Sequence, residues 1–195
     1  MKAEVMRAFS GFAEHYDHYM EETCHVQAQQ KVAGFLAQGF KGHVLDVATG
    51  TGIMLEPFEE GVGVDISLSM VQRAKRKHPS KEFVVADVHK LPFRDKAFDV
   101  SISCLAFLWF DDPEKALSEM LRVAGKAYVV EEEGTPARKR IDVPEHLKQF
   151  FEMIGRLEKE INVEELAYRS SLMYGRVFEA DIDGSHKFVV YEVMR

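Results

Sequence analysis

Cysteine is scarce in this 195-residue chain: only Cys24 and Cys104 occur. Two widely separated cysteines give neither a disulfide framework nor a zinc site, so a reduced, cytoplasmic setting is expected. Long apolar runs are missing as well. The longest, Leu105–Phe110, falls far short of the ~20 residues that cross a bilayer. Met1–Arg7 carries no apolar region of the signal-peptide type, and neither a targeting segment nor a membrane partner is expected. Positive charge is in deficit, with 25 Lys and Arg against 32 Asp and Glu and a net charge of −7. That balance argues against a large nucleic-acid surface. Repeats, low-complexity segments and long linkers are also absent, which leaves one domain over 1–195.

The stretch that organises the chain is Val44-Leu-Asp-Val-Ala-Thr-Gly-Thr-Gly52. It begins as an apolar, β-branched run, the mark of a buried parallel strand. It ends in Gly50 and Gly52, followed by helix-forming residues from Ile53. A strand that turns through glycines into a helix presents backbone N–H groups to a ligand where no Cβ intervenes. Asp46 inside the apolar run needs a hydrogen-bonding duty, because a bare buried carboxylate is costly. One reading is a nucleotide-containing cofactor at the first strand–helix turn of an open α/β sheet; the other is a tight turn that binds nothing.

The rest follows in chain order. Residues 1–38 read as helical, with Phe9, Phe12, Tyr16 and Tyr19 on one face. That stripe is either core packing or the underside of a lid. Strands are expected at 43–48, 61–65, 82–87, 97–104 and 126–131, and helices at 53–59, 67–77 and 112–123. Asp65 ends the second strand, where a carboxylate can accept both hydroxyls of a ribose or cap the next helix; Ser67 competes for the capping role. Asp87 ends the third, placed against an adenine amine or simply solvated. Glu131-Glu-Glu133 and the basic run after it read as solvated surface. Two helical segments follow near 145–161 and 163–173, and Asp183-Gly184 turns a closing hairpin over 177–193.

With these residues in view, the chain resembles the class I S-adenosylmethionine-dependent methyltransferases. Four stretches match in order: Val44–Gly52, Gly63-Val-Asp65, Ala86-Asp87-Val88 with Leu91-Pro-Phe93, and Phe98-Asp99-Val100 to Cys104. Phe12-Ala13 and Tyr16-Asp17 resemble the menaquinone and ubiquinone C-methyltransferase branch, within the type 11 methyltransferases. The resemblance implies a Rossmann-like, doubly wound, mostly parallel seven-stranded α/β sheet with a C-terminal antiparallel hairpin and an N-terminal helical lid. It divides the domain into a lid (1–38), a cofactor-binding core (43–131), a helical substrate-side segment (132–173) and the closing hairpin (177–193). The cofactor it implies is S-adenosyl-L-methionine. Asp65 is assigned to the ribose, Asp87 to the adenine amine, and Ile66 and Val88 to the adenine faces. Asp46, Ala48, Gly50, Gly52 and the Cys104 backbone are assigned to the methionine end, Tyr16 to its cap, and Met70 completes the set. Ala48 stands where the family often has glycine.

Methyl transfer from a sulfonium needs mainly alignment of donor and acceptor, so neither a metal nor a catalytic triad is called for. If the acceptor must lose a proton, His15, His18 and His25 in the lid are candidate bases. The Asn/Asp-Pro-Pro-aromatic signature of nucleobase and amide nitrogen methylation is missing, and no dedicated substrate domain is evident. The expected acceptor is a small, partly apolar molecule. Two other readings stand beside this one. A non-catalytic cofactor-binding subunit would keep the same residues. An NAD-dependent oxidoreductase would need a third glycine where Leu55 stands.

Overall fold

The computed structural model describes residues 2–22, 25–133, 162–181 and 187–195. The helix expected over 145–161, the Asp183-Gly184 turn and Cys24 lie outside them. Seven strands form one sheet: β1 (Val44–Val47), β2 (Gly61–Asp65), β3 (Glu82–Val85), β4 (Val100–Cys104), β5 (Lys126–Glu133), β6 (Met173–Asp181) and β7 (Lys187–Met194). Their spatial order is β3-β2-β1-β4-β5-β7-β6. The first five run parallel, and β7 is antiparallel to both β5 and β6, the single reversed strand expected. Chain order reverses between β1 and β4, which opens a crevice beyond their C-terminal ends, where open α/β sheets bind ligands.

Six helices are described: α1 (Lys2–Phe12), α2 (Tyr16–Glu22), α3 (His25–Gly39), α4 (Leu68–Lys77), α5 (Pro113–Ala124) and α6 (Val163–Arg169). Period-2 alternation sends successive strand residues to opposite faces. On one face Leu45, Val47, Val62 and Val64 pack with Leu117, Met120 and Leu121 of α5 and with α6. On the other, Val44, Val100 and Ile102 pack with Val32, Ala33 and Leu36 of α3 and with Val71 and Ala74 of α4. Helices therefore cover both faces, as a buried parallel sheet requires.

Local signals fix the helix ends. The Ser67 hydroxyl accepts the Met70 N–H at the start of α4 (3.3 Å), and Asp112 accepts the Lys115 N–H (2.9 Å) ahead of Pro113 in α5. Two expectations are corrected. The helix expected at 53–59 is a single 3-10 turn, Ile53–Leu55, because Pro57 has no N–H to carry it further. The aromatic stripe does not occupy one helix face. A turn at Ala13–His15 splits it between α1 and α2, and Phe12 meets Tyr16 and Tyr19 edge-on, at 6.1 and 5.7 Å.

Candidate active site

The loop after β1 takes an unusual backbone. Ala48, Gly50 and Gly52 have φ of 57°, 54° and 88°, all left-handed. Glycine adopts this freely; for Ala48 it costs about 1–2 kcal/mol. The strained backbone bends the chain sharply at the crevice, and Ala48 and Gly50 line it. Gly52 faces the other way: a Cβ there would lie 2.9 Å from ring atoms of His78 and Phe83.

Three acids stand at or near the ends of adjacent strands, two raised by burial and one lowered by its hydrogen bonds. Asp46, fully buried, accepts the Thr49 hydroxyl, and burial pushes its carboxyl up to about 7 despite that bond. Asp65 accepts the Gly50 N–H (3.0 Å) on one oxygen and the Ser67 N–H (2.8 Å) on the other. Burial raises it above the usual carboxylate range. The Ile66 N–H is a third backbone donor to this carboxylate, which leaves one of its roughly four acceptor sites open. Asp87 follows β3 and accepts the His89 N–H (3.1 Å), the His89 ring Nδ1 (2.8 Å) and the Lys2 ammonium. Burial would raise it, but the Lys2 and His89 hydrogen bonds prevail and hold it at about 2.

Asp65 and Asp87 open onto one cleft enclosing about 870 Å3 of empty space, part of it continuous with solvent. Its walls include Ile66, Met70, Val88 and Cys104 from the core, and Leu105, Trp109 and Phe110 beyond β4. Lys2, Met6 and Phe9 of α1 and Tyr16 of α2 roof it. Tyr16 lies against Gly50, and Phe9 meets Trp109 edge-on at 5.5 Å. A smaller cavity continues inward past Tyr16 and Cys104 to Asp46 and Gln29. There the Gln29 Oε1 is buried without a hydrogen-bond partner among the described residues. An amide acceptor and a carboxylate beside an empty cavity fit the ammonium of an amino-acid moiety.

The lid histidines stand apart from these cavities. His15 and His18 are exposed, and His25 packs on Phe188 with Nε2 3.4 Å from Glu132. None of the three lines either cavity among the described residues. Two groups escaped the sequence reading. His89 lines the cleft, and its Nε2 takes the Asp112 N–H at 3.3 Å, tying the Asp87 turn to the start of α5. Glu131 presents a buried Oε1 near Cys104 with no hydrogen-bond partner among the described residues, and burial pushes its carboxyl up to about 8. Its signal was the alternation Val129, Glu131, which turns it inward while Glu132 faces the opposite side.

Known proteins resemble both the sequence and the fold. Residues 45–127 match the family described as "Methyltransferase domain". A demethylmenaquinone methyltransferase of Renibacterium salmoninarum is 41% identical over 95 residues, which cover 45% of this chain and 40% of that protein. Its Thermotoga maritima counterpart is 32% identical over 131 residues, covering 63% and 57% respectively. The chain thus spans between two fifths and three fifths of the length of these relatives. The solved structure of a Thermotoga maritima S-adenosylmethionine-dependent methyltransferase, described as a possible histamine N-methyltransferase, superimposes with a TM-score of 0.71. It is 18% identical, with 97% of this chain and 98% of that one covered, and it establishes the fold alone. The matched core, residues 45–127, and the superposition over the whole sheet give this chain the fold of the S-adenosylmethionine-dependent methyltransferases, the class it resembles. The cofactor of that class is S-adenosylmethionine.

Proposed function

We propose that the protein transfers a methyl group from S-adenosylmethionine to a small, partly apolar acceptor. The observation that carries this reading is the convergence of Asp65, Asp87 and the left-handed loop on one cleft beneath an aromatic roof. The bound cofactor supplies a methyl group already activated on a sulfonium, so in-line displacement needs alignment more than acid–base chemistry. The chain's own residues supply that alignment. Asp65 offers its remaining acceptor site to the ribose while its backbone hydrogen bonds hold the glycine loop and the start of α4. Asp87, held ionised, accepts the adenine amine, and Ile66 and Val88 flank the ring. Gln29 and Asp46 take the ammonium of the methionine moiety. Tyr16 closes that end and excludes water.

The apolar rim formed by Leu105, Trp109 and Phe110 suits a flat, apolar acceptor. The relatives named demethylmenaquinone methyltransferase make a naphthoquinol the first acceptor to try. Calorimetric titration with S-adenosylhomocysteine tests the cofactor, with NAD as control. Replacing Asp65 by Ala should weaken binding by ~1–3 kcal/mol, the cost of charged hydrogen bonds lost. Binding of NAD instead, or of neither ligand, would exclude the reading. Binding without methyl transfer across an acceptor screen would leave a cofactor-binding subunit.

A further inference from the structure

One side chain ties the lid to the core at three points. Asp17, next to Tyr16 in α2, accepts the Thr51 hydroxyl at 2.6 Å, the Arg73 Nε at 2.8 Å and the Lys77 Nζ at 2.9 Å. Thr51 belongs to the glycine loop; Arg73 and Lys77 lie one helical turn apart on α4. A single carboxylate thus ties together the lid, the loop that lines the cleft, and the helix that starts beside Asp65.

The Asp17 side chain is only 14% exposed, whereas Arg73 and Lys77 keep 26% and 32% of theirs in solvent. Burial would raise the Asp17 carboxyl, but the bonds from Thr51, Arg73 and Lys77 prevail and hold it below the ordinary range. Other polar ties join α1 to the core. The Ser10 hydroxyl meets that of Ser67 at 2.8 Å, and Lys2 reaches Asp87 and Asp111 from the exposed start of α1. Tyr16 lies over Gly50, so it obstructs the departure of a ligand from beneath α2.

We infer that Asp17 is a positioning residue that latches α2 over the glycine loop, holding Tyr16 in place and setting the rate at which the cofactor and its product leave. The inference rests on the cofactor reading above. It makes Asp17 act through Tyr16 and Thr51, without touching the ligand. Because the latch is made of partly exposed ion pairs, salt loosens it. Its loss falls on the dissociation rate more than on association, as for most changes that leave the binding surface intact.

Trp109, the single tryptophan, lines the cleft and touches Phe9 of the lid, so its fluorescence reports ligand and lid together. Stopped-flow release of S-adenosylhomocysteine from the full chain gives the test. Asp17→Asn should release the ligand about tenfold faster with a nearly unchanged association rate. Lys77→Met, which removes one arm, should show a smaller acceleration. Release from the wild type should quicken with salt, and release from Asp17→Asn should not. Should Asp17→Asn fail to fold, Lys77→Met and the wild-type salt series decide. Wild-type binding with unchanged release in the variants overturns the latch and leaves the cofactor reading intact. No binding by the wild type overturns both.

Discussion

Replacing Glu131 by Gln is expected to stabilise the protein, by an amount that grows with pH. The Glu131 carboxyl accepts the Phe107 N–H, while its Oε1 is sealed from solvent without a partner among the described residues. Burial lifts it from an ordinary 4.5 to about 8, against the pull of that one hydrogen bond. Below 4.5 the group is neutral in both folded and unfolded chains. Between 4.5 and 8 the unfolded chain gives up the proton and the folded chain keeps it, so stability falls as the pH rises. Above 8 both forms are ionised and the loss is complete. At pH 7 the interval from 4.5, at 1.36 kcal/mol per unit, corresponds to about 3 kcal/mol. Relaxation and water entry around the charge reduce this, so a gain of about 1–3 kcal/mol is expected. Glutamine keeps a carbonyl for the Phe107 amide and has no proton to lose. Urea unfolding of both proteins at pH 5, 6, 7 and 8 measures the effect. Asp46, at about 7, titrates in the same window in both, so the difference between the two isolates Glu131. A difference that stays flat from pH 5 to 8 would refute the reasoning.

Three further outcomes are expected. Ala48→Gly relieves a left-handed alanine and, after the added freedom of the unfolded chain, should gain about 0.5–1 kcal/mol in thermal unfolding. A ligand ammonium near Asp46 favours its ionised form, so S-adenosylhomocysteine affinity should fall below pH 7, approaching tenfold per unit; titration of Asp46→Asn should show that slope abolished. Lys2 occupies the acid proposed to take the adenine amine, so Lys2→Ala should tighten binding several-fold, by about 1 kcal/mol. Weaker binding by that variant would instead make Lys2 a ligand contact.

The parts of this molecule that were legible in the sequence are those set by neighbours along the chain. The apolar run before Gly50, the acids ending β2 and β3, the Ser67 and Asp112 caps and the reversed closing strand each follow from a few consecutive residues. What escaped depends on contacts between distant segments. Asp87 meets Lys2 across 85 positions, and nothing in either local pattern announces it. Glu131 sits in a run of three glutamates that reads as solvated surface; only the pleat of β5 turns it inward. His89 bonds Asp87 two residues away, but its link through Nε2 to the Asp112 N–H, 23 positions on, has no local signature. Period alone also misled at the N-terminus. The spacing of Phe9, Phe12, Tyr16 and Tyr19 fits one continuous helix, and the turn at Ala13–His15 carries no glycine or proline to mark it.

The hairpin bears on the order in which the sheet can be assembled. β7 follows β6 along the chain, yet it lies between β5 and β6 in space, with eight residue pairs to each. Until β7 leaves the ribosome, β6 has no strand to join and β5 presents a bare edge of eight residues, Lys126–Glu133. The parallel core can pair as it is synthesised, but its flank stays open to any other strand that meets it, including one from a second nascent copy. Completion of the sheet thus waits on the last of its strands to be synthesised, and slowing or truncating synthesis before that strand would yield a sticky five-stranded species rather than a nearly complete sheet.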